Sequence, residues 1–237
     1  MITLSSNKFK VCVSLATNSV DKLPGLIASA LQKRADFVEI RFDHDIYKNI
    51  DQALVITSKI RKKAIFTLRS KEEGGSFDGS NRERISLLEK MAMIRPMLLD
   101  VEISTLKKYK GIEQFLSENR IPILVSSHDF RKTSSPSTLR NKFKEMRKYS
   151  NYVKMVTTAR SIEDNFKLLS LYDNNDNTKL IAFAMGVHGI LSRLLCNLYG
   201  GSPFTYASLD KQLAPGQLDI VLMKKIYDRI ANNLKSK

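Results

Sequence analysis

The sequence predicts an α/β protein, a (β/α)8 TIM barrel spanning residues 1–237 as a single domain. Three observations carry that expectation. Eight short apolar, β-branched runs alternate with amphipathic stretches, the pattern of repeated strand–helix units. Successive runs begin about 24 to 33 residues apart, room for one strand, one helix and two short loops. The chain length of 237 residues also suits one such barrel, which needs about 250. An open nucleotide-binding sheet is the competing arrangement, but no Gly-x-Gly-x-x-Gly turn follows the first run and no phosphate loop is present.

Taken in order, the first expected strand is Val11 to Leu15. Leu23, Leu26, Ile27, Ala30 and Leu31 then fall on one face at helical spacing. The second strand is Phe37 to Arg41, and the helix after it ends near the cationic run Lys59-Ile60-Arg61-Lys62-Lys63, where positive charge meets the negative end of the helix dipole. Ala64 to Arg69 is the third strand. The glycine-rich stretch Ser70 to Gly79 that follows reads as an active-site loop or lid. Ser80-Asn81-Arg82-Glu83 has the form of a capping box, with Ile85, Leu88 and Met91 as the apolar face behind it. The fourth strand is Met97 to Glu102, and Lys107-Lys108-Tyr109-Lys110 marks a further helix end. Pro122 to Ser126 is the fifth strand; Ser135-Pro136 then offers a cap and a proline at the first helical position. Tyr152 to Val156 is the sixth, followed by a second capping-box pattern at Ser161-Ile162-Glu163-Asp164. Leu180 to Met185 and Phe204 to Ala207 complete the set.

Composition narrows the function classes. Hydrophobic residues at 43% and charged residues at 27% are ordinary globular usage, so a packed core is expected. No apolar run approaches the roughly 20 residues of a membrane span, and Met1 to Lys10 lacks a signal-peptide pattern, so the expected location is the cytoplasm. Cys12 and Cys196 are the only cysteines and sit in apolar segments, which argues for buried, reduced thiols and against a disulfide scaffold or zinc cluster. The net charge of +15 is mostly dispersed, which suits a solvated surface better than a nucleic-acid partner.

Lys154 is the most informative residue, a charge inside the β-forming run Tyr152-Val153-Lys154-Met155-Val156. A desolvated ammonium must be paired or neutralised, and a neutral buried amine attacks carbonyls. With an ordinary pKa of about 10.4, only roughly one lysine in a thousand is neutral near neutral pH, a handicap of about 4 kcal/mol that burial or a neighbouring cation such as Arg69 or Arg193 would reduce. The plain alternative is a salt bridge inside the barrel, with Glu39 or Glu102. Other unusual polar residues fall near strand C-terminal ends, where barrel enzymes keep their chemistry: Glu39, Arg41, Arg69, Asp100, Glu102 and His128. His128 follows the fifth strand and suits a proton shuttle for imine chemistry, against a plain loop role. His44 and His188 lack comparable context and are read as surface or supporting residues. Arg193, in the glycine-bearing stretch after the seventh strand, suits bidentate grip on a carboxylate, against a surface position on a helix.

Six ordered motifs carry a resemblance: Glu-Ile-Arg-x-Asp from Glu39, Thr-x-Arg-x-x-x-Glu-Gly-Gly from Thr67, Ser-x-His-Asp-Phe from Ser126, Val153-Lys154, Met-Gly-x-x-Gly-x-x-Ser-Arg from Met185, and Ala-Pro-Gly-Gln from Ala214. Together they make the chain resemble type I 3-dehydroquinate dehydratase over nearly its whole length. The resemblance implies a cofactor-free and metal-free hydro-lyase of the shikimate route, commonly a homodimer, that takes a small-molecule carboxylate. It implies that Lys154 forms the Schiff base, that His128 is the general acid/base and that Glu73 orients it. It further implies that Glu39, Arg41 and Arg69 hold ring hydroxyls, that Arg193 clamps the carboxylate, and that Gln217 belongs to a lid. Met185 and Tyr206 would line the pocket, the latter where the family often has Phe. Leu213 stands where the family often has Ser, which removes a polar lid contact. A class I aldolase and a non-enzymatic nucleic-acid binder are the competing readings; the first usually needs a phosphate site after strands seven and eight.

Overall fold

The computed structural model describes residues 9–173, 178–199 and 201–235. Of the N-terminal segment read above, residues 1–8 lie outside that description. Eight strands form one parallel sheet: β1 Val11–Ala16, β2 Phe37–Arg41, β3 Ala64–Thr67, β4 Leu98–Glu102, β5 Ile123–His128, β6 Tyr152–Thr158, β7 Lys179–Met185 and β8 Thr205–Ser208. Seven ladders join them in the order β7-β6-β5-β4-β3-β2-β1-β8. Each expected strand is present. The third stops at Thr67 rather than Arg69, and the sixth continues to Thr158.

The helices are α1 Leu23–Gln32, α2 Ile50–Ser58, α3 Asn81–Met93, α4 Ile103–Lys108, α5 Lys110–Glu118, α6 Pro136–Met146, α7 Glu163–Leu169, α8 Ile190–Leu198 and α9 Ile220–Lys235. Two of the three expected caps form: the Ser80 hydroxyl accepts from the Glu83 amide at 3.1 Å, and Ser135 accepts from Thr138 at 3.3 Å. The Ser161 pattern does not form a capping box. The cap position of α7 falls on Ile162, already in helical backbone geometry, so Ser161 lies one residue too early.

The strands are buried on both faces, as parallel barrel strands require. Val13, Val38, Ile40, Ile65, Phe66, Leu99, Val125, Val153 and Ile181 belong to one continuous apolar cluster. Cys12 and Cys196 are buried free thiols within it. Among the described residues no helix is long and apolar enough to cross a membrane.

Among the described residues no ladder joins β7 to β8, leaving a seam. The β7 amides that face it are satisfied by side chains: Ala182 donates to the Tyr172 hydroxyl at 2.8 Å and Ala184 to the Ser192 hydroxyl at 2.9 Å. α8 spans the seam, and its Arg193 carbonyl accepts from the Thr205 hydroxyl of β8 at 2.7 Å.

Candidate active site

Parallel register carries polar side chains across the barrel interior. Ser14 pairs with Glu39, Arg41 with Thr67, Thr67 with Asp100, Glu102 with Ser126, and Ser126 with Lys154. Because alternate strand residues share a face, Glu39 and Arg41, Asp100 and Glu102, and Ser126 and His128 form successive layers toward the strand C-termini.

Lys154 is 5% exposed and is held in an internal salt bridge. Its Nζ lies 2.9 Å from Glu39 Oε1 and 3.3 Å from Asp100 Oδ2. The sequence offered Glu39 or Glu102 as its partner; Glu39 is correct, and Asp100 takes the place of Glu102. Ser14 donates to Glu39 at 2.7 Å and Thr67 at 3.1 Å. Burial pushes the Glu39 carboxyl up, but Lys154, Arg41 and Ser14 outweigh it and hold it well below the usual range.

Arg69 closes this network. It donates to Asp100 at 2.6 Å and to Ser126 at 2.7 Å, and it reaches Glu102 at 3.1 Å. Glu102 is also paired with Arg84, accepts from the Ser70 amide at 3.0 Å, and is held near 2 by the two arginines against the opposing effect of burial. Arg84 donates in addition to the Leu68 carbonyl and the Thr105 hydroxyl, each at 3.0 Å. Sequence reasoning missed Arg84. It shares the helical spacing of Leu88 and Met91, and an arginine on an apolar stripe was the available signal. The hydroxyls of Ser14, Thr67 and Ser126 were also missed.

Arg41 makes a two-pronged pair with Asp43, at 2.8 and 2.7 Å. Asp43 in turn accepts from the Ser76 amide at 3.0 Å, tying the loop after β3 to the end of β2. That loop carries Glu73 on a single 3-10 turn, Lys71–Glu73, closed by Gly74 at φ 76°. A side chain at Gly74 would strike Phe130, whose ring stacks on His128 at 6.4 Å between centroids.

Glu73 Oε2 accepts from the His128 amide at 3.0 Å and lies 3.0 Å from its Nδ1, while Oε1 accepts from Ser104 at 3.0 Å. Burial, reinforced by the charges of Arg69 and Lys154, pushes the His128 imidazole well below its ordinary value. Burial and the Glu102 carboxylate push Glu73 up to about 7. The result is an imidazole held neutral and oriented through Nδ1.

Arg193 enters from α8 and is 1% exposed. Its guanidinium lies 4.2 Å from the Phe183 ring centroid, but Nε and Nη2 have no hydrogen-bond partner. Burial without an acid lowers its pKa to about 10, so it remains a cation at neutral pH. Buried donors left unmet cost about 1–3 kcal/mol each, more for a charged group. Tyr206 has the same character: its hydroxyl is buried and unpartnered, with Lys154 Nζ over its ring at 4.1 Å from the centroid.

Gln217 is folded into its own turn, its side-chain oxygen accepting from the Leu213 and Ala214 amides at 2.8 and 3.3 Å. The turn docks on the loop after β7, where the Gly186 amide donates to Pro215 at 3.0 Å. Gly216, at φ 78°, approaches Gly186 too closely for a side chain. One cleft is lined by each residue to which the resemblance gives a role: Glu39, Arg41, Arg69, Glu73, His128, Lys154, Met185, Arg193, Tyr206 and Gln217; Asp100 and Glu102, also singled out in the sequence, do not line it. Leu213 lines it as well. His44 and His188 do not. Among the described residues, no group of three or more His, Cys, Asp or Glu side chains is disposed to hold a metal ion.

A family model described as type I 3-dehydroquinase matches residues 11–233. The 3-dehydroquinate dehydratase of Dehalococcoides mccartyi is 40% identical over 88% of this chain and 92% of its own length. That of Thermococcus onnurineus is 33% identical over 84% and 89%. Among solved structures, 3-dehydroquinate dehydratase from Aquifex aeolicus VF5 superposes with a TM-score of 0.77 at 27% identity, covering 93% of this chain and 98% of that one. The Geobacillus kaustophilus counterpart gives 0.85 at 23% identity over 95% and 92%, a likeness of fold.

Proposed function

This chain belongs to the type I 3-dehydroquinase family, a family of hydro-lyases, and we propose that it dehydrates 3-dehydroquinate to 3-dehydroshikimate through an imine on Lys154. The observation that carries the reading is the pairing of an unpartnered buried guanidinium, Arg193, with a lysine in the same cleft. An anion completes the one, and a ketone held by that anion meets the other.

In this reading Arg193 takes the substrate carboxylate in a charge-assisted grip. Glu39, Arg41 and Arg69 receive the ring hydroxyls, and Met185, Tyr206 and the lid residue Gln217 wall the pocket. The lysine ammonium gives a proton to solvent, freeing the amine. Nζ adds to the ketone carbon, and the carbinolamine takes a proton back from solvent and loses water to give the protonated imine. That cation acidifies the adjacent carbon. His128, anchored at Nδ1 by Glu73, removes the proton through Nε2, and the electron pair moves toward the iminium nitrogen to give an enamine. The enamine expels the hydroxyl at the β carbon, which leaves as water with the proton His128 returns. Water then hydrolyses the conjugated imine to the enone product and free lysine.

The eight strands sharing one sheet support residues 1–237 as one catalytic domain. Cytoplasmic residence and a homodimeric assembly belong to the same reading and rest on the family. The test is turnover of 3-dehydroquinate, followed by ultraviolet absorbance of the enone, with borohydride added to trap the imine. We expect one reduced adduct per site on Lys154 and none in Lys154→Ala, which also loses more than about a thousandfold in kcat. An adduct on another lysine would overturn the assignment.

A further inference from the structure

We propose that Tyr206 is a positioning residue for the water that leaves as the imine on Lys154 forms and returns as it is hydrolysed. The inference rests on the imine reading above and adds to it a group that the reaction as described does not use.

Among the described residues, three buried side-chain atoms lack a hydrogen-bond partner. Two are the Arg193 donors, which a carboxylate engages. The third is the Tyr206 hydroxyl oxygen. A buried hydroxyl is ordinarily satisfied, and one that is not calls for a ligand or a water. Tyr206 is 2% exposed, lines the cleft, and stands beside the Phe183 and Phe204 rings, at 6.0 and 5.6 Å between centroids. The groups assigned to the substrate hydroxyls, Glu39, Arg41 and Arg69, come from β2 and the loop after β3 instead. Its hydroxyl therefore serves a polar atom close to the lysine.

Geometry identifies that atom. Nζ stands over the Tyr206 ring at 4.1 Å from the centroid. For a face-on approach this sets the phenol oxygen about 5 Å from the nitrogen, a gap that one oxygen bridges with two hydrogen bonds of roughly 2.8 Å. The oxygen that belongs there is the one exchanged at the imine carbon. Burial, and after it the Glu39 carboxylate, pushes the phenol pKa well above its ordinary value, so the group stays protonated and acts as donor and acceptor rather than as a base.

As the imine forms, the hydroxyl of the carbinolamine leaves with its bonding pair and takes a proton, and Tyr206 donates a hydrogen bond to it. In the return direction Tyr206 accepts a hydrogen bond from water and turns the free lone pair toward the imine carbon. The carbon–oxygen bond forms while the imine π pair returns to nitrogen; the carbon–nitrogen bond then breaks, with its pair on Nζ. Both water protons end on nitrogen, so one protonated imine and one water yield one ketone and one lysine ammonium, with no outside acid or oxidant.

Tyr206→Phe keeps the ring and its contact with Nζ and deletes only the unpartnered oxygen, so the fold is retained. We expect kcat to fall roughly tenfold, with a smaller fall in kcat/KM and a larger fraction of enzyme trapped by borohydride during steady turnover, read by intact mass. In single turnover, oxygen from labelled water enters the product ketone more slowly. Wild-type kcat with a wild-type trapped fraction overturns the proposal. So does a raised KM at unchanged kcat, which would make the hydroxyl a direct substrate contact. Failure of the wild-type protein to form any adduct would instead sink the imine reading itself, which separates the two claims.

Discussion

The two sides of the barrel mouth treat the same residue type in opposite ways. On the β2 to β6 side, Arg69 is surrounded by Asp100, Glu102 and Ser126, and the two carboxylates outweigh burial and raise its pKa. On the β7 to β8 side, Arg193 is as deeply buried and has no acid; burial alone lowers it to about 10. A charge paired within the protein is part of the frame and is fixed before any ligand arrives. A charge left unpaired in a cleft is completed by the ligand. The first kind of residue should answer mutation in stability or in kcat, the second in KM.

The largest expected effect lies on the partnered side. His128→Ala should lower kcat by about 10² to 10⁴, the usual contribution of a general acid/base, while borohydride still labels Lys154. Loss of the adduct would mean that His128 acts before the imine rather than after it. Next is the contrast between the arginines. Arg69→Met leaves Asp100 and Glu102 short of a cation and should cost about 3–5 kcal/mol in urea unfolding. Arg193→Met removes an uncompensated charge and should leave stability unchanged or improved, while KM rises about a hundredfold through loss of charge-assisted bonds. Equal destabilisation by both would break the comparison. The smallest effect is in pH. Glu73 titrates at about 7, above an ordinary glutamate near 4.5. The folded protein therefore holds that proton more tightly than the unfolded chain. Its contribution to stability is present below about 4.5 and is lost as pH rises through 7. Over the same rise the carboxylate forms and secures His128 Nδ1, so kcat/KM should climb through about 7. Glu73→Gln should abolish that limb in a pH–rate profile; an unchanged limb would assign it to another group.

The fold was legible because each strand is a short apolar run separated from the next by a full helical segment, a signal that survives without tertiary information. The site was legible for a different reason: charged residues in such runs have few structural excuses. What the sequence withheld is height and distance across the barrel. Asp100 and Glu102 point inward with the same parity, and ladder register carries Glu102 through Ser126 to Lys154; Nζ nevertheless meets Asp100, because barrel strands tilt against the axis and Glu102 is held by Arg69 and Arg84. Glu39 reaches Lys154 across 115 residues of chain. Ser161 failed as a cap because helix starts are decided by one residue, a finer interval than hydrophobic periodicity resolves.

The seam between β7 and β8 bears on how such a pocket is resized. Seven neighbouring strand pairs have their spacing dictated by backbone ladders, and no side-chain change there moves the wall by more than a rotamer. At the eighth junction α8 bridges the gap, and Phe183 and Tyr206 face each other across it on the wall of the cleft. A designer seeking to admit a bulkier ring acid would work at those two aromatics. There, volume exchanged between side chains becomes clearance for the guest, while the charged frame opposite is left intact.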